Sequence, residues 1–190
     1  STDEGSGGKK SADLRDAWIQ WNACDDLKLR VGQYKPAFTM QYLLADNNRQ
    51  FPANSIAINE FQLGRAQGVT AHGKNGIIGY AIGAFNGRSD NEGVNRVGQD
   101  TNMMGAGQLY VADNYDRSYE GDVNQTEGLG YSAGLSADYE EAKTADLPGT
   151  IGVFTGGIDL GVRSAGMSAS AEVLYRSADP EEGDSVNDMG

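Results

Sequence analysis

From Leu129 to Tyr139 every second residue is apolar: Leu129, Tyr131, Ala133, Leu135, Ala137 and Tyr139 are separated by Gly130, Ser132, Gly134, Ser136 and Asp138. A period of two belongs to a β-strand, whose side chains leave by alternate faces, and not to a helix. One face of this strand is therefore greasy and the other small and polar. The pattern recurs. Met167, Ala169, Ala171, Val173 and Tyr175 alternate with Ser168, Ser170, Glu172 and Arg176, with only Leu174 out of place. Ile78, Tyr80, Ile82 and Ala84 alternate with Gly79, Ala81 and Gly83, and Leu27, Leu29 and Val31 with Lys28, Arg30 and Gly32. Less regular strands are expected over Asp13 to Cys24, Gly64 to Gly73, Asn102 to Asp113 and Thr150 to Arg163, making about eight. In the last of these the apolar parity changes between Val153 and Ile158, and a bulge at Gly156-Gly157 is expected to absorb the change.

The connectors come in two sizes. Asp25-Asp26, Lys74-Asn75-Gly76 and Ser164-Ala165 are tight turns, whereas Gly87 to Thr101 and Asn114 to Glu127 are long, polar and acidic. Short turns alternating with long loops is how an outer-membrane barrel divides its connections between periplasm and exterior. A soluble β-sandwich would also alternate, so the direction of the apolar face carries the distinction. Gly, Ser, Thr, Asp, Glu and Arg on the polar face suit a wet lumen, and Tyr and Trp near strand ends suit membrane interfaces.

Composition removes several alternatives. With 27 acidic and 15 basic residues the formal charge is -12, which repels phosphate backbones and speaks against nucleic acid. No run approaches the roughly 20 apolar residues a membrane helix needs, while a barrel strand needs only about 10 alternating residues and leaves a weak hydropathy signal. Cys24 is the sole cysteine, so neither an internal disulfide nor a CxxC site can form; it is expected as inert packing at a strand end.

One segment is distinctive. Leu14-Arg15-Asp16-Ala17-Trp18 is followed, after a hairpin, by Leu29-Arg30-Val31-Gly32-Gln33-Tyr34-Lys35-Pro36-Ala37-Phe38. Then come Arg49-Gln50-Phe51, Gly64-Arg65-Ala66-Gln67-Gly68-Val69, and Tyr80 to Gly87 ending in Phe85-Asn86-Gly87. Strict parity from Val31 would place Gln33 and Lys35 toward lipid, at roughly 2.5 to 3.5 kcal/mol for a mid-membrane Lys. A bulge at Gly32 would instead turn Gln33 and Lys35 to the lumen and Tyr34 outward, with Pro36 ending the ladder.

In order and content this stretch, residues 14–90, resembles the phosphate-selective porin O and P family; the residues after Asp90 match only in general character. The resemblance implies an all-β, antiparallel transmembrane β-barrel of about 16 strands, of which about eight fall in this sequence. It also implies an inward-folded constriction loop, at residues 39–62 here. The expected division is a flexible polar segment over residues 1–12, strands and loops over 13–178, and an acidic loop or tail over 179–190. The chain reads as a mature portion of a larger barrel. A complete eight-stranded barrel is the alternative, and side chains would fill it and leave no channel.

The expected function is passive diffusion of small polar solutes or ions, with anion or phosphate preference. The rivals are a non-conducting barrel or a secreted β-sandwich that binds a surface partner. Lys35, Arg49, Arg65, Arg30 and Arg15 are the candidate pore-lining, anion-binding residues; alternatively they are rim residues paired with Asp16, Asp46 and Glu60. Asp16, Asp159 and Glu172 should face the same lumen and oppose those cations. No catalytic residue, cofactor or metal is expected. Gly68 to Asn75 nearly spells a phosphate-binding loop, but has Asn where Ser or Thr is needed and no helix after it. His72 is the only histidine and reads as a surface residue at a hairpin end. Asp113, Asp116, Glu120, Asp122, Glu181, Glu182 and Asp184 lack calcium-loop spacing and read as solvated carboxylates. Expected partners are outer-membrane lipid and lipopolysaccharide, small anions or polar solutes, and, as an assembly to test, a homotrimer in a Gram-negative outer membrane.

Overall fold

The computed structural model describes residues 15–51, 53, 55–87, 103–143 and 150–180. Eight strands follow one another: β1 (Ala17–Cys24), β2 (Leu27–Tyr34), β3 (Ala66–Asn75), β4 (Ile78–Phe85), β5 (Met104–Asp113), β6 (Gly130–Lys143), β7 (Thr150–Ser164) and β8 (Met167–Pro180). All lie in a single sheet in chain order, each antiparallel to the next. A sandwich would divide its strands between two sheets, so this is not one. Neither is it a closed eight-stranded barrel, because among the described residues β1 and β8 do not pair with each other.

The alternation sorts the two faces with few exceptions. Ile19, Val31, Val69 and Ala84 stand side by side on four neighbouring strands. Leu109, Leu135, Ile158 and Val173 do the same further along the sheet. This apolar face is open: Ile19 is 80% exposed, Ile82 67% and Val173 69%. The opposite face carries Thr70, Gln108, Asp138, Thr155 and Asp159, all buried. Globular proteins expose few contiguous apolar patches and seldom bury carboxylates without partners. An inverted protein, greasy outside and polar inside, is what a lipid-facing wall requires.

Two expected bulges are absent. At Gly32 the ladder stays in register with Trp18 on one side and Gly68 on the other. Its φ of 142° is open to glycine and adds no residue to the strand. Tyr34 therefore points inward and is buried, while Gln33 keeps the outer parity at the last rung, where it hydrogen-bonds to the Arg15 carbonyl and to Gln67. The feared cost of a lipid-facing Lys35 does not arise, since β2 ends at Tyr34 and Lys35 lies beyond the ladder. Likewise β7 runs in register through Gly156 and Gly157, and Ile151 and Val153 share the inner parity with Thr155 and Asp159.

The connectors differ from expectation in two ways: Lys74, Asn75 and Ser164 belong to the strands, so two of the tight turns fall one or two residues later than expected, and long connectors are not confined to one end. Asp25-Asp26, Gly76-Ile77 and Ala165-Gly166 are the tight turns, the last with φ of 52° and 83°, both positive as a twisted two-residue hairpin demands. A meander puts them at one end, the turn end, with the long 35–65 connector at the other. The acidic connector 114–129 also falls at the turn end, so long and short do not segregate as expected. Two of its carboxylates, Glu120 and Asp122, turn inward, while Asp116 and Glu127 are exposed as expected. Cys24 is exposed at the first hairpin and is not packed. His72 faces the inner side, its Nε2 3.1 Å from Gln20 Oε1, and is not a surface residue.

Candidate pore and constriction

The connector between β2 and β3 folds across the inner face. It contains two short helices, α1 (Met40–Leu43) and α2 (Ile56–Phe61), and a 3-10 turn at Asp46–Asn48. Thr39 and Ser55 cap the helices, each hydroxyl accepting from the backbone N–H three residues on. Tyr34, Phe38, Tyr42, Ile58 and Leu63 form an apolar core with Phe85, Met104 and Ala106 from the wall beneath. Leu174, the residue that broke the alternation of β8, faces inward and packs against this core. Near β8 the Gln41 N–H donates to Glu172 Oε1 at 2.7 Å, and the Arg176 guanidinium lies 4.6 Å from the Phe61 ring centroid. The connector thus reaches from β2 to the far side of the sheet.

Four of the five candidate cations gather where the connector leaves and rejoins the wall. Arg15, Lys35, Arg49 and Arg65 line one cavity of about 320 Å3 together with Tyr42, Asp46, Asn59 and Gln62. Lys35 Nζ donates to the Tyr42 carbonyl at 3.0 Å and sits 5.1 Å from that ring's centroid. Arg49 is nearly buried; it pairs with Asp46 at 3.3 Å and donates to the Leu44 carbonyl at 3.2 Å. Arg65 grips Asp16 with two nitrogens, at 3.0 and 3.3 Å. Lining of a shared inner cavity and ion pairing with Asp16 and Asp46 thus coexist here. Arg30 stands apart on the inner face of β2, 4.4 Å from the Trp18 ring centroid and donating to Gln20 Oε1 at 3.0 Å.

The second inward segment, 114–129, had no functional reading in the sequence. Arg117 donates to Asp159 Oδ1 at 2.6 Å and lies 4.4 Å from the Tyr110 ring centroid. Asp159 is fully buried, so that guanidinium neutralises a charge the wall could not otherwise hold. Arg163 stacks on Tyr115 at 4.1 Å and donates to the carbonyls of Asp116 and Tyr119. Asp122 accepts from the Thr126 hydroxyl and from the backbone N–H groups of Thr126 and Gly166. The Thr126 hydroxyl, joined by those N–H donors against partial burial, holds its carboxyl below the usual value of 3.8. These partners lie 42 to 47 residues away or close within the loop, and no short motif announces them.

The two connectors meet. Glu120 accepts from the Gln50 N–H at 2.6 Å and from Gln41 Nε2 at 3.2 Å, while its own N–H donates to the Asn48 carbonyl at 2.9 Å. Asn48 Nδ2 donates back to the Ser118 carbonyl at 2.9 Å. Among the described residues no cluster of three or more His, Cys, Asp or Glu could hold a metal ion. Glu181, Glu182 and Asp184 lie outside the described residues.

A single antiparallel meander, apolar outside, charged inside and with a connector laid across its lumenal face, defines the wall of an outer-membrane channel protein. The chain belongs to the phosphate-selective porin O and P family, which its sequence matches over residues 1–172, well beyond the stretch that carried the resemblance. That family is one of outer-membrane porins of Gram-negative bacteria and not of enzymes. No curated protein and no solved structure matches the chain.

Proposed function

We propose that this chain builds wall and constriction of a pore through which small polar solutes diffuse passively, with a preference for anions such as phosphate. The observation that carries the reading is the cavity shared by Arg15, Lys35, Arg49 and Arg65, cations drawn from four separate positions in the chain to one side of the inward connector. Against them stand Asp16 and Asp46, leaving the group two charges positive. Charges in a narrow, poorly solvated passage act on a permeating ion far more strongly than those beyond a Debye length of about 8 Å. The overall charge of -12 is therefore compatible with anion preference. Asp159 faces the same lumen, but Arg117 neutralises it. Residues 35–65 are the constricting segment in this reading. Among the described residues the outer edges of β1 and β8 have no neighbouring strand, and in lipid their backbone groups would find partners in further strands of the same wall.

The test is the reversal potential of reconstituted protein under a salt gradient. Changing Lys35, Arg49 and Arg65 together to Glu should move the anion-to-cation permeability ratio toward cations. An unmoved ratio removes these residues as the filter.

A further inference from the structure

Arg49 lies between Asn48 and Gln50, and both neighbours are held from the opposite end of the sheet. The Asn48 carbonyl accepts from the Glu120 N–H at 2.9 Å, and the Gln50 N–H donates to the Glu120 carboxylate at 2.6 Å. One residue of the 114–129 connector therefore fixes the peptide groups on either side of the arginine. Its second carboxylate oxygen takes Gln41 Nε2, which ties α1 to the same point. Bonds to a carboxylate are among the stronger hydrogen bonds.

The brace is itself anchored. Asp122 is tied to the β7–β8 turn through the Gly166 N–H at 2.8 Å, and the Ala165 N–H donates to the Thr126 carbonyl at 3.0 Å. Arg117 and Arg163 fasten the connector to β7, through Asp159 and through the carbonyls of Asp116 and Tyr119. The line from the turn end to Arg49 thus passes through charged or backbone hydrogen bonds at every joint. By contrast, among the described residues the Arg49 side chain bonds within its own segment, to Asp46 and the Leu44 carbonyl. The side chains of Gln50 and Asn48 also reach Ser168 Oγ on β8 at 3.1 Å and the Ser118 carbonyl at 2.9 Å, but among the described residues Glu120 is what holds the main chain on both sides of Arg49.

We infer that Glu120 is a positioning residue for ion selectivity: reaching in from the turn end, it holds the Asn48–Gln50 backbone so that the Arg49 guanidinium stays in the cationic cavity. This rests on the proposed role of that cavity. A permeating small anion is the ligand whose passage it tunes, and Glu120 need not touch it.

Full-length protein carrying Glu120→Ala, Arg49→Ala or both is reconstituted into planar bilayers, and chloride-to-potassium permeability ratios are read from reversal potentials. Heat-modifiable migration on gels establishes that each variant is folded. Glu120→Ala should lower the ratio and Glu120→Asp restore part of it. In the Arg49→Ala background Glu120→Ala should change nothing further, an outcome that mere loosening of the protein would not give. If Arg49→Ala lowers the ratio and Glu120→Ala leaves it untouched, or if the two effects simply add, the positioning role is overturned while the proposed function stands. If Arg49→Ala itself leaves the ratio unmoved, the cavity is not a filter and both fall. Should Glu120→Ala fail to fold, Glu120→Leu is measured in its place: it keeps the bulk but accepts from neither Gln50 nor Gln41, and a ratio equal to wild type again overturns the inference.

Discussion

Asp159 shows how far single residues in this protein depend on partners that are remote in sequence. It is fully buried on the inner face of β7, and its charge is matched by Arg117 at 2.6 Å. Removing one member of a buried pair strands the other, at a cost of about 3 to 5 kcal/mol. Arg117→Ala should therefore lower the denaturant midpoint of the detergent-refolded protein clearly, and Arg117→Ala combined with Asp159→Asn should recover part of the loss. A double variant as unstable as the single would mean that packing of Arg117 on Tyr110, and not the stranded charge, dominates. Parity alone put Asp159 and Glu172 on the lumenal face, because a two-residue period fixes a side once the outer face is known. Arg117 was invisible, since its partner lies 42 residues away and its own segment has no periodicity. Tyr34 was misdirected for a different reason: Gly32 accepts a φ of 142° without leaving register, a freedom that reads in the sequence as a bulge.

At the scale of elements, the strands and the tight turns were legible and the inward course of residues 114–129 was not. Side chains in a wall meet lipid or lumen according to their position in the pleat, so each strand carries its own signature. A connector that folds back into the lumen is specified by contacts with residues far along the chain. Residues 114–129 look like any acidic surface loop in composition, yet Glu120 and Asp122 take inward donors. Asp122 makes this testable by pH. Its folded value lies below 3.8, so the stability it confers is fully present above that unfolded value and is lost as pH falls through the lower folded one. Amide exchange at Thr126 and Gly166, whose N–H groups it binds, should stay protected at about pH 5 and lose protection below about pH 4. Asp122→Asn should show weaker protection at both. Protection that is identical in the variant and the parent through this range would show that the carboxylate does not hold the loop.

For the whole molecule, the inversion of the sheet is the property from which the others derive, and it is open to a direct comparison of its two faces. Leu135 lies near the middle of β6 on the apolar side, beside Leu109 and Ile158 on the adjoining strands, and is more than half exposed. In lipid an arginine there cannot be hydrated without drawing water or headgroups into the bilayer, at a cost of about 2 to 4 kcal/mol near the midplane. Ser170 on β8 is also exposed, but it shares the inner face with Glu172 and stands opposite Gly161. An arginine at that position has water and a carboxylate within its reach. In a water-soluble protein both changes would place a charge on an exposed strand position, and each would fall within roughly 0.5 kcal/mol of neutral. The two environments thus predict different orders. Leu135→Arg should lower folding efficiency into bilayers and the urea midpoint of the inserted protein, while Ser170→Arg leaves both close to the parent. The comparison is internal, since the same residue type is introduced at exposed sites of two neighbouring regions of one sheet. Equal tolerance at the two positions, measured by heat-modifiable migration across a urea series in lipid vesicles, would contradict a lipid-facing outer surface and with it the pore.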